Sequence, residues 1–143
     1  MRICLGAYIE CMTEIQVLIV DDVERVRQDL RTFLTLVGDI NIVGEASNGL
    51  DAIRLVESLS PQVVLMDLEM PVLDGYEATR RIKALAPSCW IIALTIHDGE
   101  AEQERAFQAG VDDFVTKGPS LARLLECIHK LSTLSQFPEG DRT

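Results

Sequence analysis

Five short apolar runs recur along the chain, each followed by a stretch with helical spacing, and this alternation restricts the fold more than any other feature. The runs are "VLIVDD" (17–22), "INIVGEA" (40–46), "QVVLMD" (62–67), "CWIIALT" (89–95) and "VDDFVTK" (111–117). Unbroken apolar runs of this length, such as Val63-Val64-Leu65-Met66, read as strands buried on both faces. Between the first two, Val26, Leu30, Phe33, Leu34 and Val37 fall at helical spacing, as do Ile53, Val56 and Leu59 in the next gap. After Lys117 the same holds for Leu121, Leu124, Leu125, Ile128 and Leu131. Asn48-Gly49 and Asp74-Gly75-Tyr76-Glu77 open helices, the second with the residues of a capping box, while Ser60-Pro61, Pro87 and Gly110 close them. Pro119 suits the first turn of the last helix, where its missing N–H costs nothing. Strict β-α alternation with short connections predicts an α/β fold, a doubly wound five-stranded parallel sheet with helices on both faces. The segment "DGEAEQERAFQAG" is the least amphipathic helix, with Ala101, Ala106 and Ala109 as its main apolar positions, so it is either able to shift or simply short and exposed.

A chain of 143 residues that is 48% hydrophobic is expected to form one core without a second module. Its formal charge of −10 disfavours direct contact with nucleic acid or anionic lipid and suits a cation or a basic protein surface. Cys4, Cys11, Cys89 and Cys127 form no C-x-x-C and no zinc spacing with His97 or His129, which predicts free thiols in a reducing, cytoplasmic setting. No apolar run approaches a membrane span. In "MRICLGAYIECM" a lone Arg and a short apolar stretch lack a cleavage site, and Glu10 cuts the stretch short. Residues 1–14 are therefore expected to be a weakly ordered extension, or to reflect a start at Met12, and residues 134–143 a polar tail.

In an open parallel sheet, ligands bind in the crevice beyond the carboxyl ends of the strands. Asp21 and Asp22, Asp67, Thr95 and Lys117 finish apolar strands at that edge, and only the second strand ends without such a group. Taken singly, each has a plain structural explanation: a turn cap, an N-cap, an ordinary strand end, a solvated lysine. Together, three crowded carboxylates repel one another and call for a cation, and an oxygen-only set suits Mg²⁺. A hydroxyl and an ammonium opposite them could hold an anion. A metal, a carboxylate nucleophile, a hydroxyl and a lysine together describe a phosphoryl-transfer site.

At "VLIVDD", "VVLMDLEMPVLDG", "IIALT" and "FVTK", in this order, the sequence resembles the receiver domain of two-component response regulators over residues 15–133. "GEASNG" adds a resemblance to receivers that precede LuxR-type DNA-binding domains. The resemblance implies a flavodoxin-like sheet of order 2-1-3-4-5. It implies that Asp67 takes a phosphoryl group from a kinase phosphohistidine, with Mg²⁺ held by Asp22, Asp67 and the backbone carbonyl of Glu69, and by Asp21 mainly through water. Thr95 and Lys117 would contact phosphoryl oxygens; Met70-Pro71 and Asp74-Gly75 would shape the loop behind the acceptor. Thr95 and Phe114 would form the switch, acting on an output face over the fourth helix, fifth strand and fifth helix. The implied partners are a sensor histidine kinase or phosphotransfer protein and an output protein or domain of unknown identity; a homodimer is compatible with this.

Four places depart from the pattern or stand beside it. The family commonly follows its lysine with a cis proline, whereas the order here is Lys117-Gly118-Pro119, which leaves the peptide geometry after Lys117 open. Ile96 follows Thr95 where the family often has a small residue, and is expected to restrict access to the phosphoryl group and slow its loss. His97 reads as a solvated loop residue, with contact to a phosphate-directed water as the alternative, and His129 as a surface residue.

The readings in competition are a receiver fold that only docks to proteins, a Mg²⁺-dependent aspartyl-phosphate phosphatase, and a flavin site. The phosphatase pattern wants D-x-D-x-T/V on the first strand, where this chain has adjacent Asp21-Asp22. A flavin site needs a phosphate-cradling loop after that strand, and "DDVERVRQ" offers two carboxylates. A signalling phosphoacceptor, not a turnover enzyme, is the expectation, either standing alone or as a fragment of a longer regulator.

Overall fold

The computed structural model describes residues 14–118 and 121–135. The expectations for residues 1–13, Pro119 and 136–143 lie outside this range, as do Cys4 and Cys11. Ten elements alternate along the chain: β1 Ile15–Val20, α1 Glu24–Leu36, β2 Ile40–Ala46, α2 Gly49–Leu59, β3 Val63–Met66, α3 Gly75–Leu85, β4 Trp90–Thr95, α4 Glu100–Ala109, β5 Asp113–Thr116 and α5 Ala122–Ser135. The strands form one sheet in the order β2-β1-β3-β4-β5, every pair parallel. This is the expected doubly wound arrangement.

The sheet separates two apolar layers, and side-chain alternation along each strand decides which residue joins which layer. Leu18, Val20, Val64, Met66, Ile91 and Ala93 face α2, α3 and α4. Val17, Ile19, Val63, Leu65, Ile92 and Leu94 face α1 and α5, meeting Leu30, Leu34, Leu124, Ile128 and Leu131. Burial on both faces is why the strands read as continuous apolar runs. The pairing ends at Val20, Met66 and Thr116, so the carboxylates and the lysine that close the sequence runs stand just past the ladder. That overhang puts them in the crevice.

Helix boundaries fall where the punctuation places them. Asn48 Oδ1 accepts the Asp51 N–H at 2.9 Å and Asp74 Oδ1 accepts the Glu77 N–H at 2.9 Å. Ser60 (φ 48°) and Gly110 (φ 115°) end α2 and α4 in the left-handed conformation. The capping box at Asp74 is one-sided: the Glu77 carboxylate turns outward to Arg80 and Arg81, each at 3.0 Å, where solvent-facing guanidinium groups compete for it. In α4 only Ala106 and Ala109 are buried, and Ala101 is exposed, contrary to its expected apolar role. Arg105 compensates, its guanidinium 3.8 Å from the centroid of the Tyr76 ring on α3.

Gly75 is required by close approach. A Cβ there would overlap the carbonyl oxygen of Asp67 and stand 2.7 Å from Leu68 Cα, while the Gly75 N–H donates to Leu68 O at 3.0 Å. Gly75→Ala is therefore expected to lower stability by about 2–3 kcal/mol, by forcing the α3 start away from the β3 end. Urea unfolding would measure it; an unchanged midpoint would mean that the loop yields freely. Val72 in the same loop has φ 70°, with Leu73 N–H donating to Pro71 O at 2.7 Å, a strained γ-turn that shapes the loop as expected of this stretch.

Cys89 and Cys127 are buried and free. Burial pushes both thiols up to about 11, which keeps them protonated. Among the described residues no helix is long and apolar enough to cross a membrane.

Candidate functional site

Two neighbouring strands deliver the acidic set. Asp21 follows β1, with its N–H donating to Ala46 O at 3.0 Å, and Asp67 follows β3, with its N–H donating to Val20 O at 2.9 Å. These bonds continue the ladder by one residue and leave little freedom in either backbone. Asp21, Asp22 and Asp67 offer carboxylate oxygens within 4.8 Å of one another. Asp21 and Asp67 are buried, 1% and 5% exposed, and Asp22 faces solvent.

Lys117 enters from beyond the end of β5. Its Nζ donates to Asp21 Oδ2 at 2.6 Å and stands 3.5 Å from Asp67 Oδ1. Its backbone N–H donates to Thr95 O at 2.7 Å, which anchors the residue to the end of β4. No described peptide bond is cis, so Lys117 reaches the carboxylates through a trans bond to Gly118. Burial opposes the ammonium charge, but the hydrogen bond and the charges of Asp21 and Asp67 outweigh it and hold the group above the usual lysine range.

The second Asp21 oxygen is also engaged, Oδ1 accepting the Val23 N–H at 2.9 Å. Asp67 Oδ1 accepts the Glu69 N–H at 3.4 Å. Burial and the neighbouring Asp21 charge push the Asp67 carboxyl up to about 6, against the pull of Lys117 and the Glu69 N–H. The sign for stability follows from linkage. The folded protein holds a proton on Asp67 that the unfolded chain releases between pH 4 and 6, so Asp67 makes the ion-free protein more stable as pH falls from 7 towards 4. Denaturant unfolding of the ion-free protein against pH, compared with Asp67→Asn, is expected to show this slope in the wild type and not in the variant.

Thr95 is 2% exposed and pairs with Thr116 across β4 and β5. Its Oγ1 accepts the His97 N–H at 3.2 Å, a bond that leaves the hydroxyl hydrogen free to donate elsewhere. Phe114, three residues before Lys117, is 7% exposed and packs in the layer with α3 and α4. It lines a cavity of about 470 Å³ with Gln103, Thr116, Lys117 and Arg123, between α4, β5 and α5. Ile96 is 64% exposed, so any restriction it imposes acts at the mouth of the site and not by burial.

The structure brings Asp21, Asp22, Asp67 and Lys117 together; Thr95 and Glu69 meet Lys117 and Asp67 through their backbones, and Phe114 lines a cavity that Lys117 shares. It also adds contacts that periodicity does not reveal. His97 Nδ1 lies 2.7 Å from Glu69 Oε2, so this half-exposed histidine has a partner beyond water. His129, on the surface as expected, meets Asp39 Oδ2 at 2.9 Å. Arg27 and Glu45 form a bonded pair behind Asp21. The sequence signal for that pair is the lone carboxylate in the second strand, INIVGEA.

Residues 17–129 match the family described as "Response regulator receiver domain". The chain is 40% identical over 116 residues to the response regulator protein VraR of Staphylococcus saprophyticus, covering 81% of this chain and 56% of that protein. It thus spans about half the length of the curated relatives it matches. A two-component response regulator of the LuxR family from Aurantimonas superposes with a TM-score of 0.79 at 33% identity, over 82% of this chain and 84% of that one. The isolated REC domain of RcsB from Salmonella enterica serovar Typhimurium, in the presence of phosphomimetic BeF3⁻, superposes with a TM-score of 0.74 at 28% identity, over 82% and 89%. The order of the sheet, the acid cluster at its edge and these likenesses all lead to one family: the chain belongs to the receiver domains of two-component response regulators.

Proposed function

We propose that this chain is a phosphoacceptor: Asp67 takes a phosphoryl group from the phosphohistidine of a sensor kinase or phosphotransfer protein. The observation that carries the reading is Lys117 Nζ between Asp21 and Asp67, with three carboxylates inside 4.8 Å. One ammonium offsets one of three negative charges, and an all-oxygen set with excess negative charge at an open mouth fits Mg²⁺. Asp22 and Asp67, with the Glu69 carbonyl, would hold the ion directly. Asp21, both of whose oxygens already accept hydrogen bonds, would act through water. Bound there, Mg²⁺ would supply charge neutralisation for the incoming phosphoryl oxygens.

An Asp67 carboxylate oxygen attacks phosphorus, the P–N bond breaks, and its electron pair returns to the donor imidazole. Lys117 and the Thr95 hydroxyl donate to the phosphoryl oxygens as charge builds on them. Water later attacks phosphorus, the P–O bond breaks, and inorganic phosphate leaves with the carboxylate restored. No other substrate is turned over, which makes the chain a signalling protein and not an enzyme. The RcsB neighbour, a REC domain in the presence of phosphomimetic BeF3⁻, supports the same chemistry here. Phe114 and Thr95 would carry the state of Asp67 to the α4-β5-α5 face, read by an output protein or, as in LuxR-type relatives, a separate DNA-binding domain.

The test is incubation with acetyl phosphate, with Mg²⁺ and with EDTA, followed by intact mass. A gain of one phosphoryl group only with Mg²⁺ is the expected result. No gain from acetyl phosphate or from a panel of phosphorylated kinases would sink the reading and leave a docking module.

A further inference from the structure

Arg27 and Glu45 supply no oxygen or ammonium to the site, yet they brace it from behind. Arg27 lies in the first turns of α1, its side chain 16% exposed. Its Nη1 donates to the backbone carbonyl oxygen of Asp21 at 2.7 Å, and its Nε donates to Glu45 Oε1 at 3.1 Å. Arg31, one turn further on, donates from Nε to Glu45 Oε2 at 2.6 Å. Glu45 sits on β2 opposite Ile19 of β1. Burial raises its carboxyl, but the hydrogen bonds and charges of Arg31 and Arg27 outweigh this and hold it below the usual carboxylate range, ionised at neutral pH.

The Asp21 carbonyl belongs to the peptide that carries Asp22. Every other polar atom of Asp21 is already committed: N–H to Ala46, Oδ1 to Val23, Oδ2 to Lys117. The Arg27 bond is the one that fixes the plane from which Asp22 projects, and Asp22 is the exposed member of the acid cluster. We infer that Arg27, oriented by Glu45, is a positioning residue for the cation site: it holds the Asp21–Asp22 turn so that the Asp22 carboxylate stays turned towards Asp67. This rests on the Mg²⁺ reading above. A planar guanidinium meets a carbonyl and a carboxylate at once, whereas a lysine ammonium is a single point of charge. Groups behind a metal's own ligands characteristically set its affinity in this way.

The experiment measures Mg²⁺ affinity by calorimetry for the wild type, Arg27→Ala, Arg27→Lys and Glu45→Gln. Trp90 fluorescence is a poor substitute, since Trp90 pairs with Val63 at the opposite end of β4 from Thr95. Uptake from acetyl phosphate is followed in parallel at graded Mg²⁺. Arg27→Ala is expected to weaken Mg²⁺ binding about tenfold, with Glu45→Gln less affected and Arg27→Lys between Arg27→Ala and the wild type. The uptake rate at saturating Mg²⁺ should stay within about twofold, because neither residue touches Asp67 or the phosphoryl group. Folded variants with wild-type affinity would overturn the inference and leave a staple of α1 to β2. Should Arg27→Ala not fold, Glu45→Gln, which keeps its shape and loses only charge, decides the matter. A wild type that binds no Mg²⁺ overturns the Mg²⁺ reading and the clamp together; a binding wild type with unaffected variants overturns the clamp alone.

Discussion

Asp67→Asn is expected to take up no phosphoryl group from acetyl phosphate at any Mg²⁺ concentration, and in the ion-free state to be more stable than the wild type. The first effect follows from chemistry, because an amide oxygen of asparagine is not a nucleophile towards phosphorus. The second follows from burial. A carboxyl pushed from 3.8 to about 6 carries an electrostatic penalty when ionised at neutral pH, set by desolvation and the Asp21 charge. A displacement of that size corresponds to about 3 kcal/mol. Solvent at the mouth of the site and the loss of Asp67 as a partner for Lys117 reduce this, so a gain of about 1–2 kcal/mol is expected at pH 7. Denaturant unfolding in EDTA checks it, and added Mg²⁺ should narrow the gap by stabilising the wild type more. A variant no more stable than the wild type would mean that Lys117 already neutralises the cluster.

Lys117→Met is expected to have the opposite sign in stability and to slow phosphoryl uptake without abolishing it. The ammonium is hydrogen-bonded to a carboxylate that is 1% exposed, and methionine leaves that charge without its cation. Removing one partner of a buried pair typically costs about 3–5 kcal/mol, and the lower end applies here because Val23 still donates to Asp21. Lys117 is held above the ordinary lysine range, so its contribution is fully present at neutral pH and fades only as pH rises through that raised value. Phosphoryl uptake should slow by about 10²–10³-fold, the typical cost of removing one donor to developing oxyanion charge. Mg²⁺ should return much of the stability and little of the rate, since a cation can replace Lys117 against Asp21 but not as a hydrogen-bond donor to phosphate. A variant that keeps its uptake rate would reduce Lys117 to a structural counter-ion.

The site was legible because each of its chemical groups closes a buried strand. Asp67 behind Val63–Met66 and Asp21-Asp22 behind Val17–Val20 stand out as charges where an apolar run stops, and parallel strands gather such ends at one edge. Thr95 and Lys117 were visible by the same logic. Other contacts were not. Glu69 and His97 are separated by a helix and a strand, and nothing in either local sequence says that their side chains meet at 2.7 Å. Glu77 carries the residue type of a reciprocal cap, yet two arginines a turn away on the same helix take its oxygens. Ala101 fits an apolar face by spacing, but α4 is held to the protein mainly through Ala106, Ala109 and the Arg105 stack on Tyr76.

Local patterning by itself determined where the strands and helices lie, the doubly wound class and the identity of the acidic, hydroxyl and lysine groups. All of these depend on short unbroken apolar runs, on the 3.6-residue helical period between them, and on where each run ends. Only the tertiary structure decided which of these groups touch: Lys117 against Asp21, 96 positions apart, and Arg27 held by Glu45 behind the Asp21 carbonyl. Such contacts depend on the register of neighbouring strands and the tilt of helices across them. These are set by how the two apolar layers pack, and no window of the chain contains that information.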